Sequence, residues 1–387
     1  MIRPIFAAGA LLLTVLLAAP LAQQPDPAVT TRGDWTIDAR HGWFSDGEPR
    51  VQINLRSADG SNWGFGVPPS ELEGLPAAAQ SGTASDVRFT WTREAGTFRF
   101  QGSFDRGRGA GTYTYSANPT YVSTMSSLGY KNLTPENLQR LAVADVTTAY
   151  VRGLADAGYK QLPFDDLVRM KIHRVTPEII RELATLGYRG LTSDELVRMR
   201  IHGATPEFVR AMQAAGYSGL STDDLVRFRI HKVTPEFVKA MEALGYKSID
   251  REQVVRFRIH KVTPEFVTGM AERGYRNIAA EDLVRMRIHN VNVADIDAYK
   301  ELGYAAIDAE ELVKMRIHRV TPSFIREIHA AGFKSVTLDQ LIRMRIHRVD
   351  GQFIKHLQAD GYQNLTAPEV IDLAIRGPRF SRVKRPR

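Results

Sequence analysis

Hydrophobic and polar positions change rhythm twice along this chain. A single apolar run, Ile5 to Leu17, comes first. Between Trp35 and Ser116 apolar and polar residues then alternate with period two, as in Val51-Gln52-Ile53-Asn54-Leu55, Val87-Arg88-Phe89-Thr90-Trp91, Phe98-Arg99-Phe100 and Tyr113-Thr114-Tyr115. Breaks at Glu94-Ala95-Gly96 and Asp105-Arg106-Gly107 mark hairpin turns, so the segment predicts antiparallel strands. From Asn118 onward the spacing becomes helical, and glycine-aromatic pairs recur every 29 residues without insertion, from Gly129-Tyr130 to Gly361-Tyr362. A strict period of that length means one supersecondary unit copied in tandem.

Each unit carries two helix starts. The first slot reads Asn118, Thr147, Thr176, Thr205, Thr234, Thr263, Asn292, Thr321 and Asp350, all good N-caps, and proline follows in six of the nine units. Proline at the first helical position sacrifices only an amide that has no partner inside the helix. The period's glycine then suits a left-handed stop, with the aromatic as its hydrophobic contact. The second start is a capping-box pattern, as in Thr192 to Glu195, Ser221 to Asp224, Asp250 to Gln253, Asp308 to Glu311, Thr337 to Gln340 and Thr366 to Glu369. The helix it opens runs through strings such as Leu196-Val197-Arg198-Met199-Arg200-Ile201-His202 and stops before the next Thr-Pro. Helices of about ten residues are marginal alone, and the wide arc of Leu196, Val197, Met199 and Ile201 predicts burial between two neighbouring repeats.

The resulting fold class is α+β: a small antiparallel β domain followed by an α-solenoid of nine two-helix repeats. The predicted organisation is a signal peptide over 1–22, a linker over 23–33, the β domain over 34–117, the solenoid over 118–378 and a basic, disordered tail over 379–387. The sheet is expected to dock on the first repeat, because a terminal repeat would otherwise expose its core face. Arg3, the apolar run and the small residues before Gln23 read as a secretory leader cleaved after Ala22, so the expected location is secreted or periplasmic. With no cysteine in the chain, neither disulfides nor thiolate metal ligands contribute.

Charge adds less than its total suggests. The formal net charge is +8, but Arg3 and the C-terminal Arg376, Arg379, Arg382, Lys384, Arg385 and Arg387 account for most of it. The tail residues Arg379, Arg382, Lys384, Arg385 and Arg387 read either as a solvated extension or as a contact for an anionic surface. The Gly-rich stretch from Arg106 to Gly111 leads into a strand and reads as a turn, not a phosphate loop.

Three ladders repeat with the period. His173, His202, His231, His260, His289, His318 and His347 share one slot. Identical slots in a stack lie one repeat apart and cannot converge on an ion, so each imidazole is expected to bond a turn carbonyl or capping group. An outer ladder, Arg169, Arg198, Arg227, Arg256, Arg285, Lys314 and Arg343, follows an acid by four residues and predicts exposed pairs within each helix. The inner ladder, Lys171, Arg200, Arg229, Arg258, Arg287, Arg316 and Arg345, falls inside the apolar arc. It reads as inter-repeat ties to carbonyls or to the carboxylates of Glu178, Glu207, Glu236 and Glu265, or else as a basic groove for an acidic ligand. One unit departs from the pattern, with Asn292-Val293-Ala294-Asp295 for Thr-Pro-Glu-Phe, Tyr299 for the usual Leu or Met, and Arg273 just before Gly274.

The core string from Asp224 to Met241, closed by Gly245-Tyr246, resembles a bacterial secreted 29-residue tandem repeat that also occurs behind beta-lactam-sensor-type membrane metallopeptidases. The resemblance covers 118–378 and implies no catalytic residue, since the peptidase HExxH is absent. No cofactor, metal or small-molecule substrate is inferred. The sequence reads as a non-enzymatic scaffold for a protein partner, with an anionic envelope surface or polyanion as the alternative ligand.

Overall fold

The computed structural model describes residues 30–45, 48–58, 60–76 and 84–377. The leader, the start of the linker and the tail, with Arg379, Arg382, Lys384, Arg385 and Arg387, lie outside the described residues. The chain divides into two compact units, one ending at Ile172 and one beginning at His173. The sheet therefore shares its unit with the first four helices instead of forming a unit that closes at Ala117.

In the first unit, seven strands form one curled antiparallel sheet: β1 (Thr30–Ser45), β2 (Glu48–Ser57), β3 (Asn62–Val67), β4 (Leu72–Glu73), β5 (Ala84–Arg93), β6 (Gly96–Asp105) and β7 (Arg108–Ala117), in the order β3-β2-β1-β7-β6-β5-β4. The first strand begins four residues before the boundary read at 34. The alternating aromatics fill the inside of the curl. Trp35 packs edge-on to Phe89 and Phe100, and Phe65 of β3 stacks at 4.9 Å on Trp91 of β5, joining opposite ends of the sheet. Gly109 leaves room for this core, since a Cβ there would sit 2.5 Å from the Phe104 ring.

The same unit contains α1 (Pro119–Ser127), α2 (Pro135–Val143), α3 (Thr148–Asp156) and α4 (Phe164–Ile172). Helix α2 packs on β1, β6 and β7. Gln139 stands where later repeats carry Val or Ile, and is fully buried. It accepts from the Thr31 hydroxyl at 2.6 Å and donates to Tyr113 Oη at 2.6 Å. The substitution thus supplies polar partners where the sheet, not another repeat, covers the helix. Thr148 occupies a proline slot, and its freed amide donates to Glu94 at 3.1 Å.

The second unit comprises α5 (Pro177–Thr185), α6 (Ser193–Ile201), α7 (Pro206–Ala214), α8 (Thr222–Ile230), α9 (Pro235–Ala243), α10 (Arg251–Ile259), α11 (Pro264–Glu272), α12 (Ala280–Ile288), α13 (Val293–Glu301), α14 (Ala309–Ile317), α15 (Pro322–Ala330), α16 (Leu338–Ile346), α17 (Gly351–Ala359) and α18 (Ala367–Arg376). Helices pack on their counterparts one repeat away, as in α6 on α8 and α11 on α13. Five of the six capping signals form reciprocal boxes, while Asp250 caps Gln253 without the return bond.

Both helices of a repeat end in the same kind of stop. At the first, Gly216 has φ +89 and Tyr217 N–H returns to Met212 O at 3.0 Å. At the second, the left-handed residue follows the histidine: Lys232 has φ +55, and Val233 N–H returns to Phe228 O at 2.8 Å with Val233 fully buried. The even-numbered helices thus end on a paired, apolar-anchored turn, not merely on avoidance of the following proline.

Candidate functional site

The inner basic ladder is built from one repeat and the next. Arg229 lies over the Phe208 ring at 4.9 Å, Arg258 over Phe237, Arg287 over Phe266 and Arg345 over Phe324, each at 4.8 Å. From there the guanidinium reaches the preceding repeat: Nε of Arg200, Arg229, Arg258 and Arg345 donates to the carbonyls of His173, His202, His231 and His318 at 3.3–3.5 Å. The charge rests on an aromatic face at one side and on a helix-end carbonyl at the other, which accounts for a cation inside an apolar arc. For these four arginines the hydrogen-bond acceptors are carbonyls, not Glu178, Glu207, Glu236 or Glu265, whereas Nε of Arg287 has no hydrogen-bond partner among the described residues. Those carboxylates turn back on their own helix starts. The Thr205 hydroxyl and its own amide hold Glu207 below the usual carboxylate range, with Arg210 and Arg200 assisting. Lys171, in the first unit, lies over Tyr150 at 5.1 Å and pairs with Asp145 at 3.4 Å.

The irregular unit obeys the same logic with other chemistry. Asp295 replaces the aromatic, and Arg316 pairs with it at 3.0 Å. Arg273 forms a two-pronged bond to Asp297, at 2.9 and 2.5 Å. The hydroxyl of Tyr299 donates to Val320 O at 2.7 Å, and Gly269 makes room for Val293. Similarly, Gly351 stands in a proline slot and its amide donates to Glu327 Oε1 at 2.9 Å. These departures are compensated locally.

Three expectations are corrected. The imidazoles of His173, His202, His231, His260, His289, His318 and His347 are half-buried and make no hydrogen bond among the described residues. The histidine slot works through its main chain, closing the helix and offering its carbonyl. Second, the outer ladder pairs mainly between repeats: Arg198 with Asp223, Arg227 with Glu252 at 3.1 Å and Arg256 with Glu281 at 2.6 Å. Lys314 pairs within its own helix, with Glu310 four residues back at 2.9 Å, and Arg169 of the first unit does so with Asp166 three residues back at 2.9 Å. The longer reach is favoured because the acid opening the next even-numbered helix lies beside the arginine of its neighbour. Third, Ile201 is not buried. It is the last helical residue, at a rim that no element among the described residues covers.

That rim is the surface the spacing alone did not reveal. Ile201, Ile230, Ile259, Ile288, Ile317, Ile346 and Ile375 of the second unit are 46–56% exposed, each at the same point of an even-numbered helix. Two residues further on, the left-handed slot holds exposed Lys232, Lys261, Asn290, Arg319 and Arg348. From α6 to α16 the acidic residues of the even-numbered helices are confined to the opening turn, and none occurs between Leu225 and Pro235 or between Leu312 and Pro322; α18 departs, with Asp372 in mid-helix. The combined edge is therefore apolar and basic.

A further ladder joins successive repeats. The hydroxyls of Tyr188, Tyr217, Tyr246, Tyr275 and Tyr304 donate to the carbonyl 32 residues ahead, at 2.6–2.8 Å. Its trace in the sequence is tyrosine in all but one of the glycine-aromatic pairs, where Phe333 stands. Among the described residues no cluster of His, Asp and Glu could hold a metal ion, and no helix is long and apolar enough to cross a membrane. No protein-family model matches the chain, and no curated protein matches it either.

Proposed function

We propose that this protein is a non-enzymatic scaffold whose helical repeats bind an acidic, apolar-containing polypeptide along the isoleucine-studded edge. The observation that carries the reading is the coincidence of two ladders at one rim. Isolated exposed isoleucines are ordinary, whereas a periodic row flanked by one sign of charge offers contact area and charge complementarity together. The left-handed slot strengthens this reading. Glycine serves there at Gly203, yet Lys232, Lys261, Arg319 and Arg348 occupy it elsewhere, at a conformational cost of roughly 1 kcal/mol each. Side chains retained against such a cost point to use of their charge.

The secretory leader read from the first 22 residues puts the expected partner in the cell envelope or outside the cell. The test is capture from an envelope fraction, comparing the native chain with Ile230→Glu/Ile259→Glu at low and high salt. Both positions are exposed, so folding is expected to survive. Loss of the captured partner in the variant supports the reading; equal capture refutes it. Capture that persists in the variant and collapses with salt would favour a polyanion or anionic envelope surface instead.

A further inference from the structure

The opening ends of the even-numbered helices, opposite the isoleucine rim, differ at one junction. Helices α6, α8, α10, α14 and α16 open on Thr192, Ser221, Asp250, Asp308 and Thr337, whose side-chain oxygens each accept the amide three residues on. Helix α12 opens on Ala279, which has no such oxygen. Its first-turn amides at Glu281 and Asp282 make no hydrogen bond among the described residues. A pocket of about 430 Å3 lies against this helix start, lined by Lys247, Gln253, Ile278, Ala279 and Ala280 among others.

Gln253, in the preceding repeat, is an independent sign of a ligand in the same pocket. The residue is 8% exposed, and its Nε2 has no hydrogen-bond partner among the described residues. Arg256 donates to its Oε1 at 3.3 Å, which fixes the amide's orientation and makes Nε2 the spare donor. A buried donor without an acceptor is costly. The two preceding junctions show what this place ordinarily contains. Thr222 donates to Glu195 at 3.0 Å and Arg251 to Asp224 at 2.9 Å, each 27 residues back. At the third junction the same two positions are Ala280 and Gln253. The donor has become a methyl group, the acceptor has become a donor, and the cap has lost its oxygen. Both halves of the junction therefore call for an acceptor that the chain does not supply.

We propose that the pocket between Gln253 and the first turn of α12 binds the carboxylate of a short aliphatic acid, one oxygen capping the helix amides and the other accepting from Gln253 Nε2. Two oxygens on one carbon match two donors from two repeats. The helix start favours negative charge, and Lys247 adds a cation. The nearest acids are engaged, Glu281 with Arg256 at 2.6 Å and Asp250 with the Gln253 main-chain amide at 2.8 Å. Leu244, Ile249 and Ile278 in the same pocket suit an apolar tail. The site lies at the far end of α12 from Ile288, so it goes beyond the scaffold reading and does not rest on it.

The test titrates butyrate and N-acetylleucine into the full chain, with the backbone amide resonances of Glu281 and Asp282 as the readout. Saturable shifts at both amides are expected, with butyramide, which keeps the shape but not the charge, about tenfold weaker. Tighter binding of butyrate identifies a free acid as the source of the carboxylate, and tighter binding of N-acetylleucine a peptide C-terminus; either supports the site. Ala279→Thr supplies the oxygen that Thr192 gives α6, so melting is expected to be unchanged or raised while affinity falls about tenfold. Gln253→Leu removes the second donor and is expected to weaken binding as well. Undiminished binding to a folded Ala279→Thr chain overturns the proposal, as does absence of shifts at Glu281 and Asp282. Equal affinity for butyramide, or tighter binding of inorganic phosphate, also overturns it. Capture by the Ile230→Glu/Ile259→Glu chain tests the scaffold reading separately, so either can fail without the other.

Discussion

Replacing Arg258 by Met separates the structural role of the inner ladder from its charge. The side chain makes two contacts that Met lacks: the guanidinium over Phe237 at 4.8 Å and Nε to the His231 carbonyl at 3.3 Å. The first is worth about 0.5–1 kcal/mol in a half-exposed setting. The second is long for a charged hydrogen bond and belongs at the low end of its range, about 1.5 kcal/mol. Met recovers part of this by packing its flexible thioether on the phenyl ring, leaving a net loss of about 1–2 kcal/mol. Arg200 is the internal control, because Ile179 takes the aromatic's place and Nε lies 3.5 Å from the His173 carbonyl. Arg200→Met is therefore expected to cost about 0.5 kcal/mol or less. Urea unfolding provides the comparison, read as a shift in midpoint at constant slope, with amide exchange at Val262 reporting the local effect. Equal losses for the two variants, or none for Arg258→Met, would refute the stacking account.

Tyr246→Phe removes a 2.8 Å bond to Ile278 O and is expected to lower stability by about 1 kcal/mol, whereas Phe333→Tyr adds the missing rung and is expected to raise it; denaturant midpoints decide both. Lys261→Gly relieves a left-handed lysine at φ +56 and Gly274→Ala strains a residue at φ +96, so the first is expected to stabilise and the second to destabilise, each by roughly 1 kcal/mol, as thermal melting would show. Burial pushes the Tyr217 hydroxyl up to about 12, with Glu242 and Asp250 adding, and the Tyr299 hydroxyl likewise to about 12, with Asp295 adding. Because the folded state keeps protons that the unfolded chain releases near 10, stability is expected to be intact below pH 10 and to fall from there to pH 12. Circular dichroism along a pH series tests this, and a flat profile across that window would contradict it.

Much of the architecture is legible because it depends on local chemistry. N-cap residues, proline at the first helical position and glycine stops each act within a few residues, so fifteen helix starts and the strand-to-helix change near Asn118 can be read from order alone, and the 29-residue period places the rest. The histidine slot shows the limit of such reading. Its periodicity is plain, but that it acts through carbonyls and not imidazoles depends on where the neighbouring arginine ends. The same holds for the outer ladder, whose favourable spacing within a helix lost to the acid of the next one.

By itself, the sequence determined that strands precede helices, the cores of β2, β5, β6 and β7, where most helices begin, and that one unit is repeated. Only the tertiary structure decided what faces what: that Ile201 and its equivalents stand at an exposed rim, that Gln139 meets the sheet, and that Asp295 substitutes for an aromatic ring. The reason is physical. Caps and turns are satisfied by neighbours along the chain, whereas exposure and pairing are set by residues about 25 to 32 positions away, brought alongside only when repeats pack.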